Sequence, residues 1–112
     1  MKINVKSYET ELKNLFKEIF SENDYFTDLI FKNILCNSHC FAIKNDGIVS
    51  FLFGIEKKYK KDGKIGKCIY IYGVGTKSDY RGKGYAKKLM EEAYNYFSDF
   101  EFLYLVPAWH SF

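Results

Sequence analysis

One segment of the sequence constrains the fold more than any other: an apolar strand that runs through a glycine-containing loop into an amphipathic helix. Residues 68–76 are mostly apolar or aromatic, residues 77–83 are mostly polar, and residues 85–97 place apolar side chains at helical spacing. The first turn of a helix leaves backbone N–H groups unpaired, and the helix dipole adds partial positive charge there. The segment therefore predicts a strand–loop–helix unit that can bind phosphate.

The residues of the loop strengthen this interpretation. Gly82 and Gly84 lack a Cβ atom, so the backbone can approach an anion closely, and Arg81 and Lys83 add positive charge. Two better-known phosphate-binding patterns do not fit. The P-loop requires Ser or Thr after its Gly-Lys pair, where this chain has Gly84, and the dinucleotide fingerprint requires a third glycine, where this chain has Ser78.

The remaining sequence predicts a single α/β domain over residues 1–112, because it contains no linker, repeat or low-complexity tract. Turn signals at Asn45–Gly47 and around Asp62-Gly63 predict two β-hairpins. The predicted order is β-α-α-β-β-β-α-β, with elements at residues 2–5, 8–20, 26–35, 40–44, 48–59, 68–76, 85–97 and 102–106.

Apolar spacing also predicts which side chains are buried. In the second helix the predicted buried stripe consists of Phe26, Leu29, Ile30, Ile34 and Leu35. In the third helix it consists of Leu89, Met90, Ala93, Tyr94 and Phe97. The last strand is apolar on both faces, which predicts a central position in the sheet.

The glycine loop resembles a known family signature. The stretch Arg81–Ala86 fits the pattern Arg/Gln-x-x-Gly-x-Gly/Ala of the GNAT N-acetyltransferases at every defined position, and Tyr72–Tyr80 is similar to the family's fourth strand and its approach to the loop. Ser78 stands where family members often have proline. The resemblance extends from the first strand to Val106 and implies the GNAT fold, a mixed central sheet flanked by helices.

The resemblance also implies a cofactor and an activity. The expected reaction is the direct attack of an amine, in a small molecule or a protein, on acetyl-coenzyme A, with no metal. Backbone groups of Val74, Gly75 and Thr76 are expected to pair with the pantetheine arm, and the N–H of Val74 to polarise the thioester carbonyl. The amides expected to hold the pyrophosphate are those of Arg81, Gly82, Lys83, Gly84, Tyr85 and Ala86.

A general base is harder to assign from the sequence. Glu56 is one candidate, because it lies on the strand beside that of Val74. Tyr72 is another, and strict alternation along a strand places it on the same face as Val74. His110 is a third candidate in the C-terminal tail.

The resemblance implies a truncated domain. Family members continue after the fifth strand with a helix, whose tyrosine often protonates the thiolate, and two further strands, whereas this sequence ends at Phe112. A fragment, a premature stop and a native short form with a partner chain would each explain the ending. In each case the last strand lacks its usual neighbour, which predicts self-association, for example as a homodimer.

Composition adds little about partners. The net charge of +3 is small for a nucleic-acid-binding domain, and no apolar run is long enough to span a membrane, so we expect neither partner. Lysines 57, 58, 60, 61, 64 and 67 surround a predicted hairpin tip, which is either a solvated turn or a phosphate-binding surface. Three cysteines and no visible signal peptide favour reduced thiols in the cytoplasm, and the family resemblance implies a bacterial type of protein. Cys36, His39 and Cys40 fall one ligand short of a structural zinc site.

Two other functions remain open at this point. Residues 83–86 match the first half of an RNA-binding pattern, but the second half falls inside a helical stripe. A coenzyme A-binding remnant without catalytic activity is the more serious alternative, because the chain ends where the family's usual acid should begin.

Overall fold

The computed structural model describes residues 1–105, and it confirms the predicted order of elements. Short 3-10 turns at Val5–Tyr8, Leu35–Asn37 and Ser78–Tyr80 connect some of these elements. The strands and helices are β1 (Lys2–Ile3), α1 (Glu9–Phe20), α2 (Asp24–Asn33), β2 (His39–Lys44), β3 (Ile48–Lys61), β4 (Lys64–Thr76), α3 (Tyr85–Tyr96) and β5 (Leu103–Leu105).

The strands form one mixed sheet in the order β1-β2-β3-β4-β5. The first four strands are antiparallel, and β5 pairs parallel to β4 after the crossover through α3. The two predicted hairpins are confirmed. Asp46 and Gly47 have φ of 55° and 103°, and Asp62 and Gly63 have φ of 52° and 78°, the positive values that tight hairpin turns need.

The core has two layers, one on each face of the sheet. The helices α1 and α2 cover one face, where Leu12, Phe16, Phe31, Phe51 and Phe53 are buried together. The helix α3 covers the other face, where the buried side chains are Phe41, Leu52, Ile69, Ile71, Leu89, Ala93 and Phe97. Within residues 1–105 no helix is both long and apolar enough to cross a membrane.

The predicted buried stripe of α2 is correct only in part: Leu35, which lies just beyond the helix, is buried, and Ile30 packs against the core. Thr27 and Phe31, one turn apart, face the core, whereas Phe26, Leu29 and Ile34 are exposed by 40%, 41% and 44%. Thr27 can be buried because its hydroxyl donates to the carbonyl of Asn23 at 2.8 Å. A count of apolar residues therefore could not identify Thr27, because its burial depends on this local hydrogen bond.

Two further burial predictions need correction. In α3, Leu89, Ala93 and Phe97 are buried as predicted, but Tyr94 is 69% exposed, because it lies one residue beyond the stripe that faces the sheet. Among residues 1–105, β5 lies at the edge of the sheet and not at its centre, and Tyr104 and Leu105 are exposed. The apolar composition of β5 suits both an edge position and a central position, so composition alone did not distinguish the two. Self-association through this edge stays a prediction, and Val106 lies outside the described residues.

Candidate functional site

A β-bulge in β4 shapes the site. Tyr72 pairs with Phe53 and Gly75 pairs with Phe51, so two residues of β4 stand opposite one residue of β3. Gly73, with φ of 65°, supplies the backbone conformation that this requires. The bulge reverses the side-chain alternation: Tyr72 packs against the α1–α2 layer, whereas Val74 packs against the α3 layer. The prediction that these two side chains share a face is therefore wrong.

Beyond the bulge, β4 runs past its pairing with β5. The pairs between the two strands involve Ile69 to Ile71 of β4, and Val74, Gly75 and Thr76 follow further along. These three residues line a cavity of about 810 Å³. The structure thus places the segment predicted to contact pantetheine at a cavity wall.

The start of α3 forms one end of this cavity. Gly82 and Gly84 have φ of 79° and 78°, and Gly84 as the N-cap has no side chain that could pair with the first amides of the helix. The amides from Gly82 to Lys87 donate no hydrogen bond to any described residue. The first turn also carries no acidic side chain. An anion is therefore favoured at this end both by unpaired donors and by the helix dipole.

Basic side chains surround the same end. Arg81 lines the cavity, and its Nε atom donates to the carbonyl of Thr76 at 3.2 Å, which joins the loop to the end of β4. Lys87, which we did not single out from the sequence, also lines the cavity. Lys83 does not line it, and its Nζ atom lies 5.6 Å from the ring centre of Tyr80. Lys83 is thus the one residue of the nine predicted to bind the cofactor that does not line the cavity. The other eight line it: Val74, Gly75, Thr76, Arg81, Gly82, Gly84, Tyr85 and Ala86.

The end of α1 also contributes to the cavity lining. Ile19, Phe20, Ser21 and Glu22 line it, and sequence reasoning missed all four as site residues. Gly75 makes this arrangement possible, because a Cβ atom there would lie 3.2 Å from side-chain atoms of Ile19. The only signal in the sequence was the polar stretch that ends α1, and such a stretch ordinarily marks nothing more than a helix end.

The two candidate bases that the structure describes, Glu56 and Tyr72, are not among the residues that line the cavity. Glu56 pairs with Ile69 in the sheet, roughly 15 Å along β4 from Val74, and its carboxylate lies 3.7 Å from Nε2 of His39. Tyr72 is half-buried, and burial, the nearby Tyr70 and the charge of Glu22 raise its pKa. His110 lies outside the described residues.

The cysteine-containing stretch that leads into β2 does not bring metal ligands together among the described residues. Cys40 is fully buried, and burial raises the pKa of its thiol to about 12, so it stays protonated near neutral pH. His39 faces Glu56 instead. In the part of the chain that the structure describes, no three His, Cys, Asp or Glu side chains are grouped as metal ligands would be.

Comparison with solved structures shows the fold. A probable N-acyltransferase from Enterococcus faecalis, described as a conserved protein of unknown function, superposes with a TM-score of 0.82 at 17% identity over 96% of this chain, which spans only 28% of that protein. An aminoglycoside N-acetyltransferase in complex with CoA superposes with a TM-score of 0.75 at 14% identity, and the match covers 96% of this chain and 74% of that one. Glucosamine-6-phosphate N-acetyltransferase from Arabidopsis thaliana superposes with a TM-score of 0.70 at 18% identity, and the match covers 97% of this chain and 81% of that one.

Sequence comparison gives the family. No curated protein matches the chain in sequence. The Acetyltransferase (GNAT) family, by contrast, matches residues 6–110, a range that includes α1, the bulged β4, the glycine loop and α3. The mixed sheet and the element order predicted from the sequence agree with this match. The chain belongs to the acetyltransferase (GNAT) family.

Proposed function

We propose that the protein transfers an acetyl group from acetyl-coenzyme A to an amine. The observation that carries the proposal is that a single cavity joins Val74–Thr76 of β4 to the start of α3. A strand end and a helix start that face one cavity suit a ligand with an extended polar arm and an anionic group at one end.

The start of α3 is assigned to the pyrophosphate. The unpaired amides between Gly82 and Lys87 supply donors, and Arg81 and Lys87 supply positive charge beside them. Because charge-assisted hydrogen bonds are about twice as strong as neutral ones, this end contributes most of the affinity. Tyr85 and Ala86 take part through their backbones.

The segment Val74–Thr76 is assigned to the pantetheine arm and the thioester. An amide N–H directed at the thioester oxygen, that of Val74 in our assignment, stabilises the negative charge that develops as an amine nitrogen attacks the carbonyl carbon. The carbon–sulfur bond then breaks, the nitrogen loses a proton, and the thiolate is protonated to give coenzyme A and an amide. Two similar structures, an aminoglycoside N-acetyltransferase with CoA and one with a CoA-containing bisubstrate analogue, support this choice of co-substrate.

A second candidate function is coenzyme A binding without catalysis. One observation favours it: neither Glu56 nor Tyr72 lines the cavity, so these two candidate bases named from the sequence are not at the cavity wall. The acceptor amine distinguishes the two candidates, since only the enzyme consumes it.

Thermal unfolding with added ligand tests both candidates. Acetyl-coenzyme A at a hundred times its Kd is expected to add about 2.7 kcal/mol to the free energy of unfolding, whereas single-stranded RNA at the same concentration is expected to add nothing. Release of free thiol in the presence of a panel of amines then measures turnover. No stabilisation by acetyl-coenzyme A would refute the proposal, and stabilisation without turnover on any amine would favour the non-catalytic function.

A further inference from the structure

The helix α2 has a second apolar face, which points away from the core. Thr27 and Phe31 face the core, and at roughly 100° per residue Leu29 lies on the opposite side of the helix. Tyr25 lies one turn before Leu29, and the two side chains are exposed by 75% and 41%. A helix that is apolar on both sides is ordinarily buried on both sides, so the outer face of α2 is suited to a partner.

The outer face is also continuous. Phe26, which is partly exposed, borders it, and we call Tyr25, Phe26 and Leu29 together the outer patch. Asn33 follows Leu29 by one turn, and its Nδ2 atom donates to the carbonyl of Leu29 at 2.9 Å. The amide of Asn33 thus bonds along its own helix, and the outer patch can be covered without breaking that hydrogen bond.

Two opposite charges run along one flank of the outer patch. Asp28 and Lys32 are one turn apart, with the acid nearer the start of the helix. The Asp28 carboxylate lies 3.3 Å from Nζ of Lys13, and its side chain is still 67% exposed. Lys32 is exposed and makes no ion pair with any residue between 1 and 105. The flank therefore presents negative and then positive charge in chain order.

This order of charges is complementary to itself when the helix is reversed. A two-fold axis beside the helix reverses its direction and keeps each flank on its own side, so Asp28 falls level with Lys32 of the partner subunit, and Lys32 with Asp28 of the partner subunit. The same rotation brings Leu29 close to its own copy near the axis. A uniformly charged partner would pair with only one of the two charges, which favours a second copy of this chain.

We propose that the outer patch of α2 is a homodimer interface, in which two copies of the helix pack antiparallel about a two-fold axis. The interface is separate from the cavity and from the edge strand β5, and it does not depend on the proposed function. A helix of 10 residues is only about 15 Å long, so the contact lies at the small end of specific interfaces. The dimer Kd is therefore expected in the range of tens of micromolar.

Sedimentation equilibrium of charge variants tests the antiparallel arrangement. Asp28→Lys and Lys32→Asp each place like charges opposite each other twice in the dimer, and each is expected to raise the dimer Kd at least tenfold. The variant that carries both substitutions restores opposite charges across the axis, and its Kd is expected to return to within threefold of the original. An original protein that stays monomeric at submillimolar concentration, or a double variant that associates no better than the single ones, would overturn the interface.

A cross-link locates the interface on the surface. Leu29→Cys is made in a Cys36→Ser background, because Cys36 is the one half-exposed thiol among the described cysteines and the other two are buried. Under mild oxidation Leu29→Cys is expected to form a disulfide-linked dimer, since the two thiols meet near the axis. Tyr94→Cys, at an exposed position of α3 in the same background, is expected to stay uncross-linked.

A substitution at the sheet edge separates this interface from association through β5. Leu105→Glu adds a charge to the exposed edge strand and is expected to leave the dimer Kd and the cross-link through Leu29→Cys unchanged. Equal cross-linking of Leu29→Cys and Tyr94→Cys would mean that the contact is not specific to α2. Loss of the dimer in Leu105→Glu, together with no cross-link through Leu29→Cys, would place the interface at the edge strand and overturn the proposal.

Discussion

Two regions of this protein look alike in sequence and differ in what they can do. The hairpin over residues 57–67 and the loop over residues 77–87 are both rich in lysine, and each contains a glycine whose backbone has φ near 78° in open space. In the hairpin, Gly63 turns the chain between two paired strands, with Lys61 opposite Lys64. In the loop, Gly84 opens a helix whose first amides are unpaired beside a cavity.

The difference shows that positive charge and glycine do not by themselves make an anion site. The hairpin has six lysines and one aspartate, more positive charge than the loop, yet its backbone donors are used in the ladder between β3 and β4. The loop has the donors, the dipole of α3 and the wall formed by Val74–Thr76. The solvated-turn interpretation of the hairpin is therefore the better one, and three experiments test the comparison.

The largest effect is expected from adding the same carboxylate to each region. Gly84→Glu places negative charge where the pyrophosphate is assigned and is expected to weaken acetyl-coenzyme A binding at least a hundredfold, measured by calorimetry. Gly63→Glu imposes the same left-handed conformation on a glutamate at nearly the same φ, with no atom within 4 Å of the new Cβ in either place. It is expected to leave the Kd unchanged, and equal losses in the two variants would mean that the loop is not the phosphate site.

A smaller effect is expected from removing one lysine from each region. Lys87→Ala removes a cation from the cavity lining and is expected to weaken acetyl-coenzyme A binding about tenfold at low salt, which corresponds to roughly 1.4 kcal/mol. The loss should shrink as the ionic strength rises, because salt screens an exposed charge. Lys61→Ala is the matched control in the hairpin, and a similar loss there would show that net charge, not the cavity, controls affinity.

The smallest effect concerns stability. Lys58 and Lys67 stand directly opposite each other in β3 and β4, an arrangement of like charges that costs stability. Lys67→Glu converts them into an opposite-charge pair and is expected to stabilise the fold by ~0.2–1 kcal/mol in urea unfolding, with acetyl-coenzyme A affinity unchanged. If the variant instead lost affinity, the hairpin would contribute to ligand binding and the contrast between the two regions would fail.

The local features were predicted well because short-range chemistry decides them. The hairpins at Asp46-Gly47 and Asp62-Gly63 follow from residues that tolerate positive φ, and α1 and α3 follow from apolar spacing over several turns. The burial of α2 was predicted poorly, because Thr27 reaches the core through a hydrogen bond that a count of apolar residues does not register. The predicted central position of β5 is not found among residues 1–105 for a similar reason, since the same apolar residues suit a central strand or an edge.

The sequence by itself determined the element order, the glycine loop at the start of α3, and the family to which that loop belongs. These depend on residues within a few positions of one another. Only the tertiary structure decided which face Val74 takes after the bulge at Gly73, and that the end of α1 contributes to the cavity lining. Glu22 and Val74 are far apart in the chain and lie at one cavity because the helix packs across the sheet, and no local pattern in the sequence encodes that packing.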